Sequence, residues 1–131
     1  DVYKRQMDRR IEQAREDWFA NHPFDPNKHS VLAHDEDGLP AGFFTLPDMG
    51  DMSVISLKYG YEFLATVRTD DDVDEWLANI NRTAKSPDLA GIMLAHAFRG
   101  IAPTIGQIID NDPGLAETMK TIAVQGWEQE F

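Results

Sequence analysis

Apolar positions recur at helical spacing at the front of this chain. Met7, Ile11, Ala14, Trp18 and Phe19 fall on one side of residues 7–20, and Arg9, Arg10, Glu12, Arg15 and Glu16 occupy the other, which predicts an amphipathic helix. Asn21-His22-Pro23 ends it, because a residue that precedes proline is pushed out of the helical region. From Phe24 to Arg68 the pattern changes to turns and short apolar runs. Ser30 to His34 and Ala41 to Leu46 flank Asp35-Glu36-Asp37-Gly38-Leu39-Pro40, the signature of a hairpin with a loop longer than two residues. Ile55, Leu57, Tyr59, Tyr61, Phe63, Ala65 and Val67 then alternate with mostly polar positions. That period of two, rich in aromatic and β-branched residues and containing Gly60, predicts strand for 54–67; the competing assignment is a helix with Leu57, Tyr61 and Leu64 on one side.

The second half is punctuated like a run of helices. Asp70-Asp71-Asp72 precedes Val73 to Ala84, where Val73, Trp76, Leu77 and Ile80 make one face. Ser86-Pro87-Asp88 supplies a cap and a proline at the first helical position, and Gly100 suits the left-handed residue that closes Leu89 to Arg99. Pro103 to Asn111 reads as a short separate piece. Asp112-Pro113 opens Leu115 to about Trp127, with Leu115, Met119, Ile122 and Ala123 as the expected buried side. Leu89 to Phe98 is apolar almost all round and is the expected central helix. The class predicted is α+β: a small antiparallel sheet, the hairpin plus one or two further strands, packed against an N-terminal helix and a C-terminal run of three to four helices.

A length of 131 residues, with no repeat or linker, fits one domain. Asp1-Val2-Tyr3-Lys4-Arg5-Gln6 resembles the translation of a sequencing-library adapter, so 1–6 are expected to be a non-native leader and 7–131 the single α+β domain.

Charge narrows the partners. The chain has 23 Asp and Glu against 12 Lys and Arg, and after Arg15 the imbalance is twenty against seven. Such a body repels phosphate backbones and anionic membranes and attracts basic surfaces, so direct nucleic-acid binding and membrane association are not expected. The apolar stretch Leu89 to Phe98 is also shorter than the roughly 20 residues of a spanning helix. The absence of cysteine removes thiol catalysis, disulfides and thiolate metal sites, and fits a cytoplasmic location.

Candidate chemistry is sparse. His22, His29 and His34, with Asp25, Asp35 and Asp37, are ligand types that zinc accepts, but their spacing across a loop does not fix three nitrogens toward one point. Asp70, Asp72, Asp74 and Glu75 resemble an acidic calcium loop, yet Glu75 stands where that loop needs Gly, and Asn81 where it needs Glu. Carboxylates in a first helical turn, facing the positive end of the helix dipole, explain them better. Neither a metal nor another cofactor is expected. A helix-turn-helix over Leu94 to Asp110 would present no cation to phosphate. Ser30, Ser53, Ser56 and Ser86 lack a nucleophile-elbow sequence. Trp18, Trp76 and Trp127 are assigned to the core; one exposed in a patch would instead mark an interface.

Gly38-Leu39-Pro40-Ala41-Gly42-Phe43-Phe44 is similar to the central hairpin of small acetyltransferases of the acetyl-coenzyme A family. Ala97-Phe98-Arg99-Gly100-Ile101-Ala102 partly resembles that family's pyrophosphate-binding turn, although Ala97 stands where the family has Gln or Arg. The resemblance implies a phosphate-binding turn at 97–102.

Composition and motifs together favour a non-enzymatic acidic protein-binding module that engages a basic surface of a partner protein. A small inhibitor or accessory protein of a virus or mobile element would fit. Its expected contact residues are Asp70, Asp71, Asp72, Asp74 and Glu75, with Asp35, Glu36 and Asp37. The alternative is a small enzyme or ligand-binding domain with a pocket between sheet and C-terminal helices, lined by His96, Arg99, His34 and Tyr61. A third reading is a structural subunit of a larger assembly. Oligomeric state is left open.

Overall fold

Thr69 and Asp72 begin the most fully specified helix of the chain. In the computed structural model, which describes residues 2–129, the Thr69 hydroxyl accepts from the Asp72 amide and the Asp72 carboxylate accepts from the Thr69 amide. This reciprocal capping box satisfies two amides that a helix start otherwise leaves unpaired. The elements in chain order are α1 (Val2–Asn21), β1 (His29–His34), β2 (Pro40–Leu46), α2 (Met49–Thr66), α3 (Asp70–Ala84), α4 (Pro87–Asp110) and α5 (Pro113–Glu128). The description is α+β, with five helices and a two-stranded antiparallel sheet among the described residues.

Four starts follow one chemistry. Asp48, Ser86 and Asp112, like Thr69, are extended residues whose side chains accept the amide three positions on. Pro87 and Pro113 then occupy first-turn positions where a missing amide costs nothing. The chain leaves α3 through Lys85, held in the left-handed region at φ 64°.

The segment 54–67 is helix, not strand. Its buried positions are Met52, Ile55, Ser56, Tyr59 and Gly60, a helical face on which two core places are filled by serine and glycine. Leu57 and Tyr61, which made the sequence alternate, lie at the edge of the contact with α4, 39% and 48% exposed. Gly60 serves packing: a Cβ there would lie 2.7 Å from Ile101 Cγ2 and 3.0 Å from the Ala97 carbonyl oxygen. Its absence lets α2 and α4 approach closely.

The α4 segment also departs from expectation. Gly100 does not end a helix, and Pro103 does not begin one. Both lie inside a single 24-residue helix, with Gly100 set against Leu57 of α2 and Pro103 forgoing one backbone bond. The phosphate-binding turn implied for 97–102 and a helix-turn-helix over Leu94 to Asp110 are therefore both absent. At 24 residues, α4 is also long and apolar enough by composition to cross a membrane, contrary to the length expected from Leu89 to Phe98.

The core joins three helices. Met52, Ile55 and Tyr59 of α2, Trp76, Ile80 and Ala84 of α3, and Leu89, Ala90 and Met93 of α4 form one buried cluster. Each large apolar side chain there contributes about 1.5–3 kcal/mol. The Trp76 indole donates to the Tyr59 carbonyl (2.9 Å), and the Tyr59 hydroxyl pairs with that of Thr83 (2.6 Å). Burial raises the Tyr59 pKa, with the Thr83 bond opposing. Phe63, Trp76 and Phe98 stack edgewise across the three helices.

Helix α1 buries no residue completely. Trp18 and Phe19 pack on the core's edge, and Arg15 pairs with Glu62 at 3.0 Å. Residues 2–6 continue this helix. The hairpin pairs His29 with Leu46 through Ala33 with Gly42, with an irregularity between Ala33 and His34. No further strand joins it among the described residues.

Candidate functional site

The expected contact carboxylates fall on two elements and divide into two kinds. In the first turn of α3, Asp72 Oδ2 accepts from the amides of Arg68 (3.0 Å) and Thr69 (3.1 Å). Those bonds, Arg68's first, hold its carboxyl below the usual carboxylate range. At the hairpin tip, Asp35 Oδ1 accepts from the amides of Asp37 and Leu39, both at 2.9 Å, and so builds its own turn. These two acids serve the fold. Asp70, Asp71, Asp74 and Glu75 on α3, and Glu36 and Asp37 on the hairpin, are exposed, and among the described residues no cation lies within ion-pair distance of them. The hairpin leads into one end of α2 and α3 follows from the other, about 27 Å along the helix.

The four residues of the alternative pocket do not converge on one cavity. His34 ends β1 and is exposed, while His96 (half-buried) and Arg99 (exposed) lie on α4. Tyr61, on α2, donates to or accepts from Thr104 of α4 at 3.1 Å. Tyr61 borders a sizeable cavity, and that cavity lies under α1, not between the sheet and the C-terminal helices. It is a half-open apolar groove of about 420 Å³ between α1 and α2, lined by Ile11, Trp18, Phe19, Ile55 and Tyr59 among others. Lys58 overhangs the Trp18 ring at 5.0 Å. A sequence signal for the groove existed in the apolar side of α1, but its opposing wall was hidden by the strand assignment.

The histidines are dispersed. His22 stacks on Trp18 and shares a 3.0 Å contact with its carbonyl, His29 faces the Asp48 cap at 3.5 Å, and His34 stands at the far end of β1. No cluster of three metal-ligating side chains forms among the described residues.

What reading the chain did miss is the amount of uncovered apolar surface. The chain exposes 9602 Å², whereas a compact monomer of 14.8 kDa exposes about 7,000 Å². Helix α5 has no buried residue, so its expected inner side is open: Met119 is 41% and Ile122 42% exposed. Trp127, assigned to the core by sequence, is 93% exposed, while Trp76 is buried and Trp18 half-buried. On the hairpin every residue of β2 is exposed, with Phe43 at 76%. The signal was available in the low charge of 100–127, where only Asp110, Asp112, Glu117 and Lys120 are ionisable.

Comparison of the chain with protein-family models, with curated proteins and with solved structures gives no match in any of the three.

Proposed function

We propose that this chain is a non-enzymatic, acidic protein-binding module of the cytoplasm that engages a basic surface of a partner protein. The observation that carries the reading is the set of exposed carboxylates, without an ion-pair partner among the described residues, on a fixed scaffold. Asp70, Asp71, Asp74 and Glu75 project from a helix start held by a capping box, so their positions are set before a partner arrives. Preorganised charge of one sign steers a complementary surface into register and speeds its approach, at a strength that falls with salt. Glu36 and Asp37 offer a second, smaller acidic point at the hairpin tip.

The test is retention of cell-extract proteins on the immobilised full chain at rising salt. Beside the wild type run D70N/D71N/D74N/E75Q and a control, E16Q/D17N/D88N/E128Q, that removes the same charge elsewhere. The reading expects a salt-sensitive partner lost from the α3 variant and kept by the control. Equal retention by all three proteins, or retention indifferent to salt, contradicts it.

A second reading, a structural subunit of a larger assembly, is favoured by the excess accessible surface. It concerns a different part of the molecule.

A further inference from the structure

We infer that the weakly charged face shared by α4 and α5 is the contact between two copies of this chain. The surface excess supplies the first argument. Relative to a compact monomer of its mass, the chain leaves about 2,600 Å² uncovered. An obligate homodimer removes roughly 1,000–2,500 Å² from each subunit, so the excess, which α1 and the hairpin share with this face, leaves room for a second copy to cover part of it.

Position is the second argument. The last fully buried residue of α4 is Ile101, and of the nine that follow, about 13 Å of helix, none is fully buried and only Thr104, Ile105, Gly106 and Ile109 are half-buried. Helix α5 folds back from this end through Asn111 and Asp112, and buries nothing completely. Ile108, Met119, Ile122, Val124 and Trp127 are left between 41% and 93% exposed. A helix of 16 residues that buries none of them completely is weakly held, because most helical stability in proteins comes from packing.

Charge selects the occupant. The chain as a whole is acidic enough that two copies repel, with a formal net charge of −11. From Gly100 to Trp127 four ionisable side chains occur, and two of them, Glu117 and Lys120, pair with each other at 3.4 Å. A basic partner finds few carboxylates here, Asp110, Asp112 and the paired Glu117, whereas a second copy meets its least repulsive patch. Two antiparallel helix pairs related by a twofold axis close into a four-helix bundle, an isologous contact that leaves no open end. A lipid bilayer is the competing occupant, since α4 has the length and composition to span one. Against it, the N-terminal half of that helix is committed to the core through Leu89, Ala90, Met93 and Ala97, and carries Asp88 and Arg99.

Sedimentation equilibrium of the full chain from about 1 to 100 µM tests the inference. The wild type is expected at twice the chain mass. I108E/I122E is expected at the chain mass, with unchanged helical circular dichroism and dimerisation weakened at least about a hundredfold. A wild-type monomer across that range overturns the inference, as does a double variant that remains dimeric. So does flotation of the wild type with phosphatidylcholine vesicles in place of self-association. Should the double variant not fold, a spin label on Q125C, the only thiol in the chain, keeps the question decidable. One narrow intermolecular distance supports the α5 contact, and none overturns it.

Discussion

Two glycines in the helix crossing allow a prediction in which the same substitution has opposite signs. Replacing glycine by alanine inside a helix gains about 1 kcal/mol from backbone propensity alone. At Gly60 the added Cβ would meet Ile101 Cγ2 at 2.7 Å and the Ala97 carbonyl oxygen at 3.0 Å. Ile101 is fully buried and the second contact is backbone, so neither can retreat without separating α2 from α4. Overpacking of that kind costs about 3 kcal/mol at the upper end of its usual range, which leaves G60A less stable by about 2 kcal/mol. At Gly100 the nearest atom is also 2.7 Å away, but it is Cδ1 of Leu57, the tip of a side chain that is 39% exposed and can rotate into water. G100A is therefore expected to be neutral or stabilised by up to about 1 kcal/mol. Gly91, with open space around it, calibrates the propensity gain alone. Urea denaturation followed at the helical circular-dichroism band gives all three differences. At this chain length G60A corresponds to a melting temperature lower by about 7 °C. The packing argument is refuted if G60A matches or exceeds the wild type, or if G60A and G100A shift alike.

Three further outcomes follow from individual contacts. Arg15 and Glu62, whose side chains are 22% and 11% exposed, should couple by about 1–2 kcal/mol in a cycle of R15A, E62A and the double variant, and a coupling near zero would mean that α1 is held by Trp18 and Phe19 alone. The Asp72 carboxyl titrates below its usual range in the folded chain, so its contribution is present above the unfolded pKa and is lost as pH falls through the folded one. The stability gap between wild type and D72N should stay level near neutrality and close below about pH 4, and a gap constant into strong acid would remove the capping box from the account. Ser56 Oγ is buried without a hydrogen-bond partner, so S56A should be neutral or stabilising by about 1 kcal/mol in the same urea assay, and a clear loss would reveal a bond the structure does not hold.

Local punctuation was legible because its chemistry is local. Ser86-Pro87 and Asp112-Pro113 start helices by side-chain acceptance and a fixed φ, and neither depends on the rest of the fold. The hairpin was legible for the same reason, its turn being built by Asp35. Tertiary contacts hid the rest. Helix α2 places Ser56 and Gly60 in the core and Val54, Leu57 and Tyr61 outside, so its apolar residues report the wrong period. Gly100 and Pro103 are strong terminators in isolation, yet Gly100 lies against Leu57 of α2 and the helix runs on through both. Of the site, the acidic residues were legible as charge. That Asp35 and Asp72 are spent on a turn and a cap, while their neighbours form no ion pair among the described residues, required coordinates. Helix α5 shows the opposite failure: its apolar stripe was expected to be a buried side, but Leu115 is only half-buried and Met119, Ile122 and Ala123 are exposed.

Hydrogen–deuterium exchange of the full chain at low and high protein concentration tests most directly whether that uncovered face is where the molecule works. Amides of 104–110 and 114–127 should become more protected as concentration rises, while those of α2 and α3, already inside the core, should not change. Exchange across α5 that is fast and the same at every concentration would contradict a second copy on this face.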